Sequence, residues 1–158
     1  RLARVREATA RLGIRSVEIL PGTVETLAPE FGERCDAVLV DAPCSNLGVL
    51  RRNPEVKWRR EAEGLGANAE RQRAILEAAA GMVKRGGRLV YATCSLEPEE
   101  NEGVTRAFLA ARSDFTPDPV VTFPFPLDPD GVMRCLPHRH GTDGFTAIRF
   151  RRAIKEPT

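Results

Sequence analysis

Apolar residues recur at helical spacing at the start of the chain, where Leu2, Val5, Ala8 and Leu12 share a side and Gly13 supplies a stop. Ser16–Leu20 (SVEIL) reads as a short strand ended by Pro21-Gly22, and Thr23–Glu30 as a short helical turn. Asp36–Asp41 (DAVLVD) is a continuous apolar run between acids, the pattern of a central parallel strand covered on both faces. Residues 42–67 are rich in Pro, Gly and Arg and form a long functional loop. Asn68–Val83 is a helix, with Ala69, Ile75, Leu76, Ala79, Met82 and Val83 close to one face. Gly86-Gly87 closes the connection to a strand at Arg88–Thr93 (RLVYAT). Glu99–Ala111 is a helix whose Val104, Phe108 and Ala111 line up, and residues 113–130 are Pro-rich and irregular. Gly144–Arg152 alternates Ile148 and Phe150 with Arg149 and Arg151, a half-exposed last strand.

Strands alternating with helices imply an α/β fold with a parallel sheet and right-handed crossovers. In such sheets ligands sit beyond the C-terminal ends of the strands. Two strand ends here carry the same grammar: Asp41-Ala42-Pro43-Cys44-Ser45 and Thr93-Cys94-Ser95. Each puts a cysteine, followed by serine, where an active site belongs.

Composition narrows the options. At 158 residues, 42% hydrophobic and 29% charged, the chain suits one globular domain and excludes intrinsic disorder. No apolar stretch approaches the roughly 18 residues that span a membrane, and no signal peptide is visible. The net charge of +2 is too small to announce a nucleic-acid partner, but its distribution is uneven. Residues 51–60 (RRNPEVKWRR) hold five basic groups against one acid, enough to neutralise phosphates or simply to form a solvated surface.

The four cysteines, Cys35, Cys44, Cys94 and Cys135, contain no CxxC pair, which argues against a zinc site. Cys35 and Cys135 read as small buried hydrophobes. Cys44 and Cys94 leave open a packing role, a thiol redox pair, or covalent catalysis. The redox alternative requires the two sulfurs to approach disulfide distance.

DAPCSNLGVLRRNPEVKWR (Asp41–Arg59) and ATCSLEPEENE (Ala92–Glu102) closely resemble two signature motifs of the RsmB/Sun family of RNA cytosine-5 methyltransferases. LPHRHGTDGFTAIRFRR (Leu136–Arg152) resembles the family's closing motif, and Arg1–Ile14 the helix after its second strand. The resemblance implies a Rossmann-like class I methyltransferase fold, S-adenosylmethionine as cofactor, and an RNA substrate, rRNA rather than tRNA. It also implies a cytoplasmic protein, monomeric at full length, without metal or membrane. It assigns Cys94 as the nucleophile that adds to C6 of cytosine and Cys44 to product release. Asp41 falls to the base's N3/N4 edge and the cofactor's methionine part, and Thr23 to the cofactor. Arg51, Arg52 and Lys57 fall to RNA phosphates, with a lesser prospect of lowering a thiol pKa. His138, His140 and Asp143 stabilise a turn, while Glu97–Glu102 complements a helix dipole, with Asn101 positioning the loop.

The chain departs from the pattern in three ways. Asn46 stands where the family has Gly, and Asn tolerates the left-handed turn. Thr23 stands where an acid contacts adenine. The Gly-rich cofactor loop and the ribose-binding acid are absent, and the chain begins at Arg1. Residues 1–158 are therefore expected to be the part of a catalytic domain from its third strand onward. The implied strand order, 3-2-1-4-5-7-6, leaves an open edge beside Asp36–Asp41 and no neighbour for Ser16–Leu20. A noncatalytic RNA-binding module with the same fold is the alternative function.

Overall fold

The computed structural model describes residues 2–59, 63–120, 127–128 and 131–154, with the side chains of Arg59 and Glu63 set aside. Residues 60 and 121–126, parts of the basic run and the Pro-rich stretch, fall outside the described set. Helix α1 (Leu2–Arg11) is followed by α2 (Val24–Phe31), β1 (Cys35–Asp41), a single 3₁₀ turn (Leu47–Val49) and α3 (Val56–Arg59). Then come α4 (Glu63–Ala80), β2 (Val83–Thr93), α5 (Glu102–Ala111), β3 (Phe115–Pro117), β4 (Met133–Cys135), α6 (Pro137–His140) and β5 (Phe145–Arg152).

The sheet runs β1-β2-β5-β3, with β4 also pairing β5. This reproduces the 4-5-7-6 half of the implied order. β1 and β2 are parallel, whereas β3, β4 and β5 add antiparallel pairs, so the sheet is mixed rather than parallel throughout. Gly86 takes φ 75°, where the β1–β2 register breaks between Cys35 and Ala37; beyond it the strands run in step to Asp41 opposite Ala92.

Leu89 and Tyr91 of β2 pack with Leu76, Ala79 and Ala80 of α4 and with Val104 and Phe108 of α5. Phe108 sits 5.4 Å from Phe115 and 5.3 Å from Phe150 between ring centroids, in tilted pairs that lock α5 to β3 and β5. Thr146, Ile148, Phe150 and Arg152 turn inward along β5, as its alternation requires. Inward-facing Arg152 is matched by Asp114 at 2.9 Å and the Val83 carbonyl at 2.6 Å.

Two expectations fail for one reason. Ser16–Leu20 forms no strand, because a strand exists only when a neighbour takes its backbone hydrogen bonds, and none lies beside it. β1 is not a doubly covered central strand in this chain: among the described residues its hydrogen-bonded neighbour is β2 alone and Leu39 is 69% exposed, the open edge that the implied strand order places beside Asp36–Asp41. Leu2, Val5, Leu12, Ile14 and Val17 also face solvent. α4 starts earlier and ends earlier than its apolar stripe suggests, and Val83 opens β2 instead. None of the described helices is long and apolar enough to cross a membrane.

In this chain Leu39→Ser should change stability by less than about 0.5 kcal/mol, whereas Leu89→Ala should cost about 2–5 kcal/mol. Urea denaturation of the two variants measures the contrast, and equal losses would disprove the edge placement of β1.

Candidate active site

The in-step ends of β1 and β2 set the site. Asp41 lies opposite Ala92, and the Ala42 N–H donates to the Ala92 carbonyl at 2.9 Å. The two following loops therefore leave the sheet side by side. Cys44 Sγ and Cys94 Sγ end 3.0 Å apart, both as free thiols. The sulfurs are in contact but lie beyond the roughly 2.05 Å of a disulfide bond.

A buried carboxylate fixes the loops. Glu100 is 0% exposed. Its Oε1 accepts from the Ser45 N–H at 2.8 Å, Asn68 Nδ2 at 3.0 Å and Gln72 Nε2 at 3.2 Å. Its Oε2 accepts from Ser45 Oγ at 2.6 Å, which also lies 3.2 Å from Ser95 Oγ. Gln72 Nε2 reaches the Pro43 carbonyl as well. Glu100 is therefore no surface partner of a helix dipole; α5 begins two residues later, and the carboxylate instead binds the Cys44 loop to α4. Asn101 does the matching work on the Cys94 loop. Its Oδ1 accepts from Thr93 Oγ1 at 2.7 Å, and its Nδ2 donates to the Ser95 and Glu97 carbonyls at 3.0 Å.

The loop after Cys44 is clamped from the far side. The Gly48 N–H donates to the Cys94 carbonyl at 2.9 Å, and the Gly144 N–H to the Gly48 carbonyl at 2.7 Å. A Cβ at Gly48 would lie 2.4 Å from the Gly144 oxygen, so only glycine fits. Asn46 adopts φ 63° and ψ 21°, the left-handed turn expected of it.

The thiols behave as one unit. A hydrogen bond from the Cys94 thiol lowers the Cys44 pKa to about 7, aided by the backbone N–H groups of Asn46 and Cys94 and opposed by burial and Glu100. Cys94 moves the other way, held protonated by the Cys44 sulfur, burial and Asp41. Two sulfurs in contact cannot both carry charge near neutrality, so once the first proton leaves, near pH 7, the pair shares the one that remains.

A cleft of about 610 Å³ opens onto both sulfurs and is lined by Thr23, Glu25, Asp41, Pro43, Asn46 and Arg71, among others. Four sequence candidates, Cys44, Cys94, Asp41 and Thr23, thus share one cavity. Glu25 and Arg71 join them unforeseen. Glu25, beside the N-terminus of α2, is held below the ordinary carboxylate range by its backbone N–H, by Thr23 and by the charge of Arg71. No motif marks either residue; their approach depends on α2 packing against α4.

Arg51, Arg52 and Lys57 lie elsewhere. Arg52 pairs with Asp143 at 2.6 Å and Arg51 with the same carboxylate at 3.5 Å. Arg51 also donates to the Gly141 carbonyl at 3.0 Å. None of these cations is among the main causes of the thiol shifts. Lys57 Nζ lies 5.5 Å from the ring centre of Trp58, whose 83% exposure leaves it outside the core. His140 Nδ1 accepts from the Leu136 N–H at 2.9 Å, the turn-holding role expected of that segment. Among the described residues no cluster of three or more His, Cys, Asp or Glu could hold a metal ion.

A family model described as 16S rRNA methyltransferase RsmB/F matches residues 1–151. A probable ribosomal RNA small subunit methyltransferase B of Bacillus subtilis is 38% identical over 156 residues, 94% of this chain and 34% of the relative. Ribosomal RNA small subunit methyltransferase B of Vibrio cholerae is 42% identical over 146 residues, 92% and 32% respectively. The crystal structure of NSun6 from Pyrococcus horikoshii with SFG superposes with a TM-score of 0.84 at 34% identity, covering 99% of this chain and 39% of that one. The chain spans about a third of the length of the curated relatives.

Alkylation of Cys44 should follow a pH midpoint of about 7. Cys94→Ala removes the donor that stabilises the Cys44 thiolate, so the midpoint should rise toward the ordinary thiol value; a fall would disprove the shared proton. Glu100→Ala should cost at least about 2 kcal/mol in a denaturant titration, because it strands several buried donors.

Proposed function

The chain belongs to the RsmB/F family of 16S rRNA methyltransferases, and from that premise we propose that it is the C-terminal part of the catalytic domain of an rRNA cytosine-5 methyltransferase. The observation that carries this reading is the contact between two thiols at adjacent strand ends, facing one cleft. The protein it belongs to acts as a cytoplasmic monomer on small-subunit rRNA, the substrate class in its relatives' names.

Cytosine C5 is a weak nucleophile, and addition of a thiolate at C6 makes it enamine-like. Cys94 reaches that state by passing its proton to the Cys44 thiolate across the 3.0 Å contact, so no cation is needed to ionise it. The Cys94 thiolate then forms a bond to C6, and the ring's electron pair moves toward C5 and N3. N3 takes a proton from water as its charge grows and gives it up when the ring is restored. The carboxylate of Asp41, which lines the cleft, accepts hydrogen bonds from that protonated N3/N4 edge. C5 takes the methyl group, its proton leaves to water, and the C6–S bond breaks with its electron pair returning to Cys94. Cys44, now a thiol, donates to the departing sulfur, and the proton returns to Cys94. The target base must be single-stranded or flipped for its C6 to be reached.

The cleft suits S-adenosylmethionine. Asp41 and Glu25 offer carboxylates to amine groups, Arg71 a guanidinium to a carboxylate, and Thr23 a hydroxyl. When bound there, the cofactor supplies an electrophilic methyl group. SFG in the Pyrococcus relative, an analogue of that cofactor, supports the same use. Arg51, Arg52 and Lys57 meet RNA phosphates, the two arginines from positions steadied by Asp143. The segments that would cover Leu39 and pair the free edge of β1 are the first strands of the domain, and with them the Gly-rich loop.

In the full-length protein, Cys94→Ser should abolish transfer of labelled methyl to small-subunit rRNA. Cys44→Ser should accumulate a denaturation-resistant protein–RNA adduct, formed more slowly because the Cys94 proton must then leave to water. Retained methylation by Cys94→Ser would rule out the nucleophile assignment. A noncatalytic RNA-binding module would show neither effect and would bind no cofactor in calorimetry.

A further inference from the structure

Asn46 is the one non-glycine among the described residues with a positive φ. Glycine takes that conformation without cost, so the turn does not explain a side chain there. The side chain instead lies against the reactive sulfurs. Its Oδ1 is 2.8 Å from Cys94 Sγ and 3.8 Å from Cys44 Sγ.

A carbonyl oxygen accepts and cannot donate. At 2.8 Å it shares the single Cys94 S–H with the Cys44 sulfur when Cys94 is protonated, and it is repelled when Cys94 carries a charge. The pair holds one proton near neutrality, so a preference for the Cys94 thiol is also a preference for the Cys44 thiolate. The Cys44 sulfur is prepared for that charge by the backbone N–H groups of Asn46 and Cys94. The other charged or titratable groups that act on the pair are Asp41, which disfavours charge on Cys94, and Glu100, which disfavours it on Cys44; Tyr91 feels the Cys44 charge in turn. Glu25 and Arg71 line the same cleft. Of all these, Asn46 alone has a side-chain oxygen hydrogen-bonded to the sulfurs: it accepts from Cys94 at 2.8 Å and only distantly from Cys44 at 3.8 Å, so its preference for a proton falls on Cys94.

We propose that Asn46 is a positioning residue that keeps the shared proton on Cys94, holding the nucleophile as a thiol until substrate enters and the proton crosses to Cys44. This rests on the reading of Cys94 as nucleophile, but its test does not use methylation.

The test is alkylation of the purified full-length protein by iodoacetamide across about pH 5 to 9, with Cys44 and Cys94 quantified separately by peptide mass spectrometry. In the otherwise unaltered protein, Asn46→Gly keeps the turn and removes the acceptor. The share of alkylation falling on Cys94 in the first ionisation step should rise roughly fivefold. In a Cys44→Ala background the midpoint of Cys94 is read alone, and a change in access does not move a midpoint. There Asn46→Gly should lower the midpoint by roughly half to one pH unit. Asn46→Asp, which keeps both the turn and an acceptor, should restore it to the Asn46 value or above. An unchanged or raised midpoint in Asn46→Gly would overturn the proposal. So would a lowered one in Asn46→Asp, which would place the effect in the backbone.

Discussion

One buried carboxylate organises this chain. Glu100 receives the Ser45 N–H, the Ser45 hydroxyl and the amides of Asn68 and Gln72. Isolating a carboxylate from water is costly, and only such a set of donors makes it tolerable. Those donors come from the Cys44 loop and from α4, while the carboxylate itself sits at the end of the Cys94 loop. Its own backbone carbonyl accepts from Tyr91 of β2 at 2.7 Å. The carboxylate therefore satisfies its own hydrogen-bonding needs only when both loops and α4 are in place. The sulfur contact is a by-product of that requirement.

The strand-end cysteines could be found from sequence because they depend on two local patterns: apolar runs that stop, and Pro- or Ser-containing turns that follow. α1, α2, α4, α5 and β5 followed from periodicity for the same reason. What failed was what depends on partners. Ser16–Leu20 has strand composition but nothing to pair with, and β1 has the apolar run of a central strand at a sheet edge. β4 is three residues long, too short to leave a period. Glu100 reads as one of several surface acids, since burial of a single carboxylate leaves no signature in the run of acids around it. The adjacent Pro98 and Asn101 were the available hint. Arg71 and Glu25 meet only through the packing of α2 on α4, which no spacing along the chain encodes.

The basic run shows how charge density misleads about electrostatics. Arg51 and Arg52 are near Cys44 in sequence, yet their charge is answered by Asp143, near the start of β5. Thiol acidity comes instead from the other sulfur and from backbone N–H groups, short-range donors that salt screens little. The hydrogen bonds that set the reactive pair thus come from residues between Asp41 and Asn101 and from the Gly144 clamp, independent of the exposed apolar positions of α1 and β1.

The contact between Gly48 and Gly144 has a consequence for sequence drift. The two backbones touch across almost a hundred positions of chain. A methyl group on either side must push into backbone: the Gly144 carbonyl on one side, the Gly48 Cα on the other. No neighbouring side chain can shrink to make room, since the obstacle includes the main chain itself. The two sites are thus joined as a single unit of variation. Replacing either requires the β5 entry and the Cys44 loop to separate together, and with them the cysteines they hold in register.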